Sequence, residues 1–77
     1  MRDLNDMVTF ARVVEANSFS EAARRMKASK SRVSKAITKL ERELGARLLN
    51  RSTRGLSLTE VGAAFYEHCS RVIEEAE

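Results

Sequence analysis

The stretch that decides the fold is residues 29–45, which read SKSRVSKAITKLERELG. Apolar side chains recur along it at helical spacing and form one stripe: Val33, Ala36, Ile37, Leu40 and Leu44. Ser29 is a typical N-cap residue, and Gly45 stands where a helix commonly ends in a left-handed residue. The pattern predicts a helix over residues 30–44 with one side in a core.

The opposite side of this helix is basic and rich in hydroxyl groups. A helix with exposed donors in its first turns can read base edges in the major groove of DNA. We therefore expect five side chains to read bases: Lys30, Ser31, Arg32, Ser34 and Lys35. We count the hydroxyl of Thr38, on the same side, among the contacts to the DNA backbone.

The net charge of +3 hides a strong asymmetry. Residues 24–54 contain eleven Lys or Arg and two Glu, a net charge of +9, whereas the rest of the chain has a net charge of −6. A basic segment between acidic ends indicates one surface that faces a polyanion. A solvated basic face is an equally good explanation of the charge alone, so the fold must decide between them.

Two helices are predicted before this stretch. Residues 3–16 have apolar side chains at helical spacing and two acids near the start, which suits the helix dipole. A short helix follows over residues 20–27, capped either by Ser18, which forms a capping box with Glu21, or by Ser20. The free amides at the starts of the second and third helices, with the hydroxyls of Ser18, Ser20 or Ser29, can bind phosphate.

A hairpin and a last helix are predicted after residues 29–45. Residues 48–58 alternate apolar and polar side chains around a turn, and we expect the tip to present Arg51, Thr53 and Arg54 to DNA. Thr59 caps the last helix, which runs to Glu77 without a stop signal, as if cut within the helix. Gly62 inside it indicates the close approach of another segment. A stripe on this helix is expected to form a dimer: Val61, Phe65, Cys69 (or His68), Val72 and Ile73. We expect Val61, Phe65, Val72 and Ile73 to be unburied and Cys69 to be a small packed apolar residue.

The composition excludes several other classes. One cysteine and one histidine allow neither a disulfide within the chain nor a Cys/His zinc site, and no catalytic set of residues is present. We expect no metal, no cofactor and no enzymatic activity. There is no membrane-length apolar run and no signal peptide, so the expected location is the cytoplasm, with no membrane partner.

Helix, helix, turn, helix, hairpin, helix is the order of a winged helix-turn-helix, and four blocks of sequence resemble one family. Residues 17–23 (NSFSEAA) resemble G-S-F-[ST]-x-A-A, and residues 28–37 (ASKSRVSKAI) resemble V-S-Q-[SP]-A-[LV]-S-[RK]-x-I. Residues 40–49 (LERELGARLL) resemble L-E-x-x-L-G-x-x-L-F. Arg51 with residues 56–62 (LSLTEVG) resembles R-(x)n-L-T-x-x-G. Together they are similar to the N-terminal DNA-binding domain of LysR-type transcriptional regulators.

The resemblance implies a mainly α winged helix-turn-helix with a three-helix core, a two-stranded wing and a C-terminal linker helix. It implies a DNA-binding domain over residues 1–58 and the start of a linker or dimerisation helix over residues 59–77, with the effector-binding domain absent from this chain. Family members bind dyad-symmetric, AT-containing double-stranded DNA, dimerise through the linker helix and often form tetramers. By position, the residues implied to contact the DNA backbone are Ser18, Ser20, Arg51, Ser52, Thr53 and Arg54.

Two positions depart from the family pattern. Lys30 replaces a frequent glutamine and Arg32 replaces a frequent alanine. Glutamine reads adenine, whereas lysine prefers guanine or a phosphate. The main hypothesis is a sequence-specific DNA-binding module of a bacterial regulator. The alternative is a winged-helix module that binds protein and lacks DNA binding, which a neutral or acidic third helix would have favoured.

Overall fold

The computed structural model describes residues 3–76, and within them the fold is four helices and one antiparallel hairpin. The elements are α1 (Leu4–Ala16), α2 (Phe19–Met26), α3 (Lys30–Leu44), β1 (Leu49–Ser52), β2 (Gly55–Leu58) and α4 (Glu60–Ala76). This order confirms the predicted mainly helical winged helix-turn-helix. The predicted reach of the last helix to Glu77 lies outside the described residues.

Polar caps set the starts of the first three helices. The Asp3 carboxylate accepts a hydrogen bond from the amide of Asn5 at 2.8 Å, so α1 begins one residue later than predicted. Ser18 accepts from the amide of Glu21 at 3.1 Å, which settles the open choice of cap in favour of Ser18. Ser29 accepts from the amide of Arg32 at 3.1 Å, and α3 has the predicted bounds.

The core lies where α1 meets the other three helices. Phe10 and Val13 of α1 are fully buried, as are Ile37 and Leu40 of α3. Leu48, in the segment between α3 and the hairpin, is also fully buried and belongs to the same cluster. Burying side chains of this size stabilises a fold by about 1.5–3 kcal/mol each. The buried side chain of Leu48, directly before β1, therefore holds the hairpin against the helices.

The structure corrects the expected dimer stripe of α4. Phe65 and Cys69 are buried in the core of the domain, and the Phe65 ring centroid lies 5.7 Å from that of Phe10. The prediction that Phe65 is unburied is wrong, because helical periodicity shows a stripe without showing what covers it, whereas Cys69 is packed as expected. Val61 is 44% exposed, while Val72 and Ile73 are partly buried.

The hairpin is short and closes through a two-residue turn at Thr53 and Arg54. Arg51 pairs with Leu56 inside the ladder. The prediction that Arg51 lies at the tip is therefore wrong. Gly55 follows the turn with a φ of +112°, a backbone conformation that glycine adopts without strain. None of the helices described over residues 3–76 is long and apolar enough to cross a membrane.

Candidate nucleic-acid interface

The first two turns of α3 present an open polar surface. Lys30, Ser31, Arg32 and Lys35 are exposed, and Ser34 is partly buried. Within residues 3–76 none of the basic side chains among them has a carboxylate partner. Four of the five predicted base readers are therefore free to meet a ligand, and the fifth lies at the edge of the surface.

The hydroxyls of this region already have local roles. Ser29 holds the start of α3, and Ser18 holds the start of α2. The Thr38 hydroxyl donates to the carbonyl oxygen of Ser34 at 3.0 Å, although the residue is exposed. Ser20 lies exposed in the first turn of α2. A capping hydroxyl keeps its own O–H for a phosphate oxygen, so both caps remain available as donors.

The wing is joined to the helix-turn-helix by an aromatic contact. The Arg51 guanidinium carbon lies 4.4 Å from the centroid of the Phe19 ring, and Phe19 is almost wholly buried at the start of α2. Such a cation–π contact stabilises an exposed pair by about 0.5–1 kcal/mol and fixes the plane of the guanidinium. Arg51 is exposed on its other side. Sequence reasoning missed this contact, because no local pattern joins residues 32 positions apart.

The turn of the wing is exposed and internally ordered. The Ser52 hydroxyl accepts a hydrogen bond from the Arg54 amide at 3.2 Å and lies 3.4 Å from the carbonyl oxygen of Gly55, to which it donates. Thr53 and Arg54 are exposed. The predicted backbone-contacting residues of the wing therefore lie together, with Ser52 shaping the turn that carries the other two.

Acidic side chains pair with three basic residues of the segment 24–54, namely Arg24, Arg25 and Lys39. Glu21 pairs with both Arg24 and Arg25, and their hydrogen bonds hold the pKa of Glu21 below its usual value. Lys39 lies 3.1 Å from a carboxylate oxygen of Asp6 and 3.9 Å from one of Asp3. The hydrogen bond with Asp6 raises the pKa of Lys39.

Most of the basic segment is left unneutralised. Over residues 3–76 its remaining basic side chains have no carboxylate within 4 Å: Lys27, Lys30, Arg32, Lys35, Arg42, Arg47, Arg51 and Arg54. The free positive charge is therefore concentrated in the α2–α3 turn, α3 and the wing. A surface of this kind attracts a polyanion through salt-dependent electrostatics.

The side chains that usually bind metals, and the one cysteine, have ordinary structural surroundings within residues 3–76. Among the residues that the structure describes, no three His, Cys, Asp or Glu side chains come together as metal ligands would. Cys69 is buried, and burial raises the pKa of its thiol to about 11. Cys69 therefore remains protonated and packs as a small apolar side chain.

Comparison with known proteins places this architecture in a family. The family model of the "Bacterial regulatory helix-turn-helix protein, lysR family" matches residues 4–63, which include α1, α2, α3 and the wing. The chain belongs to the LysR family. The predicted resemblance is thereby confirmed, and the chain is a LysR-type helix-turn-helix DNA-binding domain.

Relatives of this LysR-family domain are transcriptional regulators. It is 49% identical over 75 residues to an HTH-type transcriptional regulator of Xanthomonas campestris pv. campestris (strain 8004), covering 97% of this chain and 22% of the relative. It is 47% identical over 77 residues to the HTH-type transcriptional activator AaeR of Escherichia coli (strain K12), covering 100% of this chain and 25% of AaeR. The chain thus spans about a quarter of the length of these curated relatives.

Similar solved structures include complexes with DNA. The CbnR DNA-binding domain in complex with DNA superimposes with a TM-score of 0.91 at 36% identity, covering 96% of this chain and 85% of that chain. The BenM DNA-binding domain in complex with catB site 1 DNA gives a TM-score of 0.93 at 32% identity, covering 96% and 83%.

Proposed function

We propose that this LysR-family domain binds double-stranded DNA in a sequence-dependent manner, with α3 in the major groove and the wing along the backbone or minor groove. The observation that carries the proposal is the free, exposed and positively charged start of α3. Within residues 3–76, Arg32 and Lys35 lie there without acidic partners, while acidic side chains pair with Arg24, Arg25 and Lys39 of the basic segment. Binding, and not catalysis, is the role that this surface supports.

The proposed contacts divide into two groups. Side chains in the first turns of α3 read base edges: Lys30, Ser31, Arg32, Ser34 and Lys35. Hydroxyl and guanidinium groups around them hold the DNA backbone: Ser18, Ser20, Ser29, Thr38, Arg51, Ser52, Thr53 and Arg54. Base contacts determine specificity, whereas backbone contacts determine register and most of the salt dependence.

We infer that the domain works as a homodimer in a longer regulator. In this arrangement residues 1–58 read DNA, and residues 59–77 begin the linker helix that pairs two copies on a dyad-symmetric, AT-containing site. Exposed Val61 and partly buried Val72 and Ile73 support a helix-to-helix contact, while Phe65 and Cys69 hold α4 on its own domain. A tetramer of the full-length protein, an effector-binding domain and action in the cytoplasm are parts of the same proposal.

Titration against duplex DNA at several salt concentrations tests the proposed function. Each phosphate neutralised gives a slope of about −0.9 in a plot of log affinity against log salt. Arg32→Ala should weaken binding, whereas Arg12→Ala should not, because Arg12 already pairs with Glu15 at 3.0 Å on α1. A flat salt dependence of the unmodified chain would refute the proposal and favour a protein partner.

A further inference from the structure

The segment between α3 and the wing, residues 45–48, forms a corner that is held by one acidic residue, Glu41. The main-chain carbonyl of Glu41 accepts from the amides of Gly45 at 2.8 Å and Ala46 at 3.2 Å, which ends α3. The carboxylate of the same residue reaches forward to the amide of Leu48 at 2.8 Å and lies 3.5 Å from that of Leu49. Glu41 thus ends α3 and holds the start of the wing.

Helix α4 holds the same corner from the other side. The Thr59 hydroxyl donates to the carbonyl oxygen of Arg47 at 2.6 Å, and the Thr59 amide donates to that of Leu48 at 3.0 Å. The same hydroxyl accepts from the Gly62 amide at 2.9 Å. The backbone at Arg47 and Leu48 is therefore bonded to α3 and to the start of α4, and the Leu48 side chain is fully buried.

The wing arginines follow directly from this corner. Arg51 stands three residues after Leu48, and Arg54 lies in the turn just beyond. A shift of the backbone at Leu48 moves both guanidinium groups relative to α3. Glu41 is partly buried. By charge alone, a carboxylate in a basic helix weakens the attraction to DNA.

We propose that Glu41 is a positioning residue for DNA binding: its carboxylate sets the wing at a fixed distance from α3, so that base and backbone contacts form together. This inference rests on the proposed function. It predicts that removing the Glu41 carboxylate lowers the affinity for DNA, whereas electrostatics alone predicts a higher affinity. Removing a negative charge from a DNA-binding helix should tighten binding, whereas releasing the wing should weaken it.

Duplex binding by three variants of the chain tests the proposal. Glu41→Gln removes the charge and weakens the bond to Leu48, and we expect affinity to fall about tenfold, the scale of one charge-assisted hydrogen bond. Glu41→Asp keeps the charge but shortens the reach, and should also lose affinity. The matched control is Glu43→Gln, which removes the same charge from an exposed site without a hydrogen bond to the wing in residues 3–76. It should bind as tightly as the unmodified chain or tighter.

A double-mutant cycle separates positioning from a general loss of stability. In a chain that already carries Arg51→Ala and Arg54→Ala, Glu41→Gln should cause no further loss of affinity, because the groups that Glu41 positions are gone. Equal losses in both backgrounds overturn the positioning role, as does unchanged or tighter binding by both Glu41 variants. If the unmodified chain itself shows no salt-dependent binding, the proposed function fails first, so the two failures are distinguishable.

Discussion

Gly62 on α4 packs its Cα directly against the backbone of Leu48. A Cβ atom at position 62 would overlap the Leu48 carbonyl oxygen and lie 2.9 Å from the carbonyl carbon. That oxygen already accepts a hydrogen bond from the Thr59 amide at 3.0 Å, so it cannot move aside without breaking a bond. The glycine therefore lets α4 approach the corner that joins α3 to the wing.

Gly62→Ala should destabilise the domain despite the better helix propensity of alanine. Propensity alone favours alanine by about 1 kcal/mol, but forcing a methyl group into closely packed backbone costs roughly 1–3 kcal/mol or more. Because the added methyl group meets backbone and not a flexible side chain, we expect the upper end of this cost and a net loss of up to about 2 kcal/mol in the free energy of unfolding, measured by urea denaturation.

Ala63→Gly is the control for Gly62→Ala. Ala63 is exposed on the same helix, so its replacement should cost only the propensity difference of about 1 kcal/mol. If Gly62→Ala instead stabilised the chain, the close contact with Leu48 would have no energetic importance.

Arg51→Lys should weaken DNA binding more than Arg54→Lys does. Both changes keep the positive charge, but only Arg51 is held by an aromatic ring, at 4.4 Å from the Phe19 centroid. Losing the stacked, planar guanidinium should cost about 0.5–1 kcal/mol, or roughly threefold in affinity. Titration of the two variants against one duplex measures the difference. Equal losses would show that Phe19 does not orient the wing.

Arg32→Ala should relax sequence specificity as well as weaken binding. A side chain that reads a base contributes about 1–3 kcal/mol on the preferred site and less on random DNA. Arg42→Ala is the control, because Arg42 is exposed in the last turn of α3, away from the proposed base readers. Binding to a selected and a random duplex should be compared. Equal losses on both for Arg32→Ala would assign that side chain to a phosphate.

Stability should fall at high pH because Cys69 is buried. Burial raises the pKa of its thiol from 9.0 to about 11. Between these two values the unfolded chain loses the thiol proton while the folded chain keeps it, so deprotonation favours unfolding. Urea denaturation of the unmodified chain and of Cys69→Ala at pH 8 and pH 10.5 measures this. The stability advantage of the unmodified chain should shrink at the higher pH, and a constant advantage would contradict the prediction.

Glu21→Gln should tighten binding to arbitrary DNA. Glu21 pairs with both Arg24 and Arg25, and losing its charge releases two guanidinium groups next to the free part of the basic segment. We expect about a twofold gain at low salt, which disappears as salt is added. Glu15→Gln removes the same charge from α1, where Glu15 pairs with Arg12. Equal gains from both variants would mean that net charge matters and the place of the ion pair does not.

Local signals along the chain predicted most of the fold. Ser29 and Gly45 gave the exact bounds of α3, and Gly62 gave the close approach that the Leu48 contact confirms. Each of these residues meets a need of the backbone at its own position: a helix cap at Ser29 and Gly45, and the absence of a Cβ at Gly62. A residue type of this kind can be recognised in the sequence before its spatial neighbours are known.

The features that were not predicted depend on distant partners. The stripe of α4 was visible in the sequence, but only packing on Phe10 shows that Phe65 lies inward. The contact made by Glu41 was not predicted, because nothing local indicates that a carboxylate bonds to an amide seven residues later. The candidate interface was predictable as a set of residue types. The contacts that hold these residues in place, such as that of Glu41 with Leu48 and that of Arg51 with Phe19, were not predictable.

The exposed side chains at the start of α3, which are proposed to bind DNA, take no part in holding the domain folded. The side chains of Lys30, Ser31, Arg32 and Lys35 make no hydrogen bond or ion pair with the rest of residues 3–76, and none of them belongs to the core cluster. Exchanging them leaves caps, core and corner untouched. New binding preferences can therefore evolve or be engineered at these positions on an unchanged scaffold, without a stabilising substitution elsewhere to compensate.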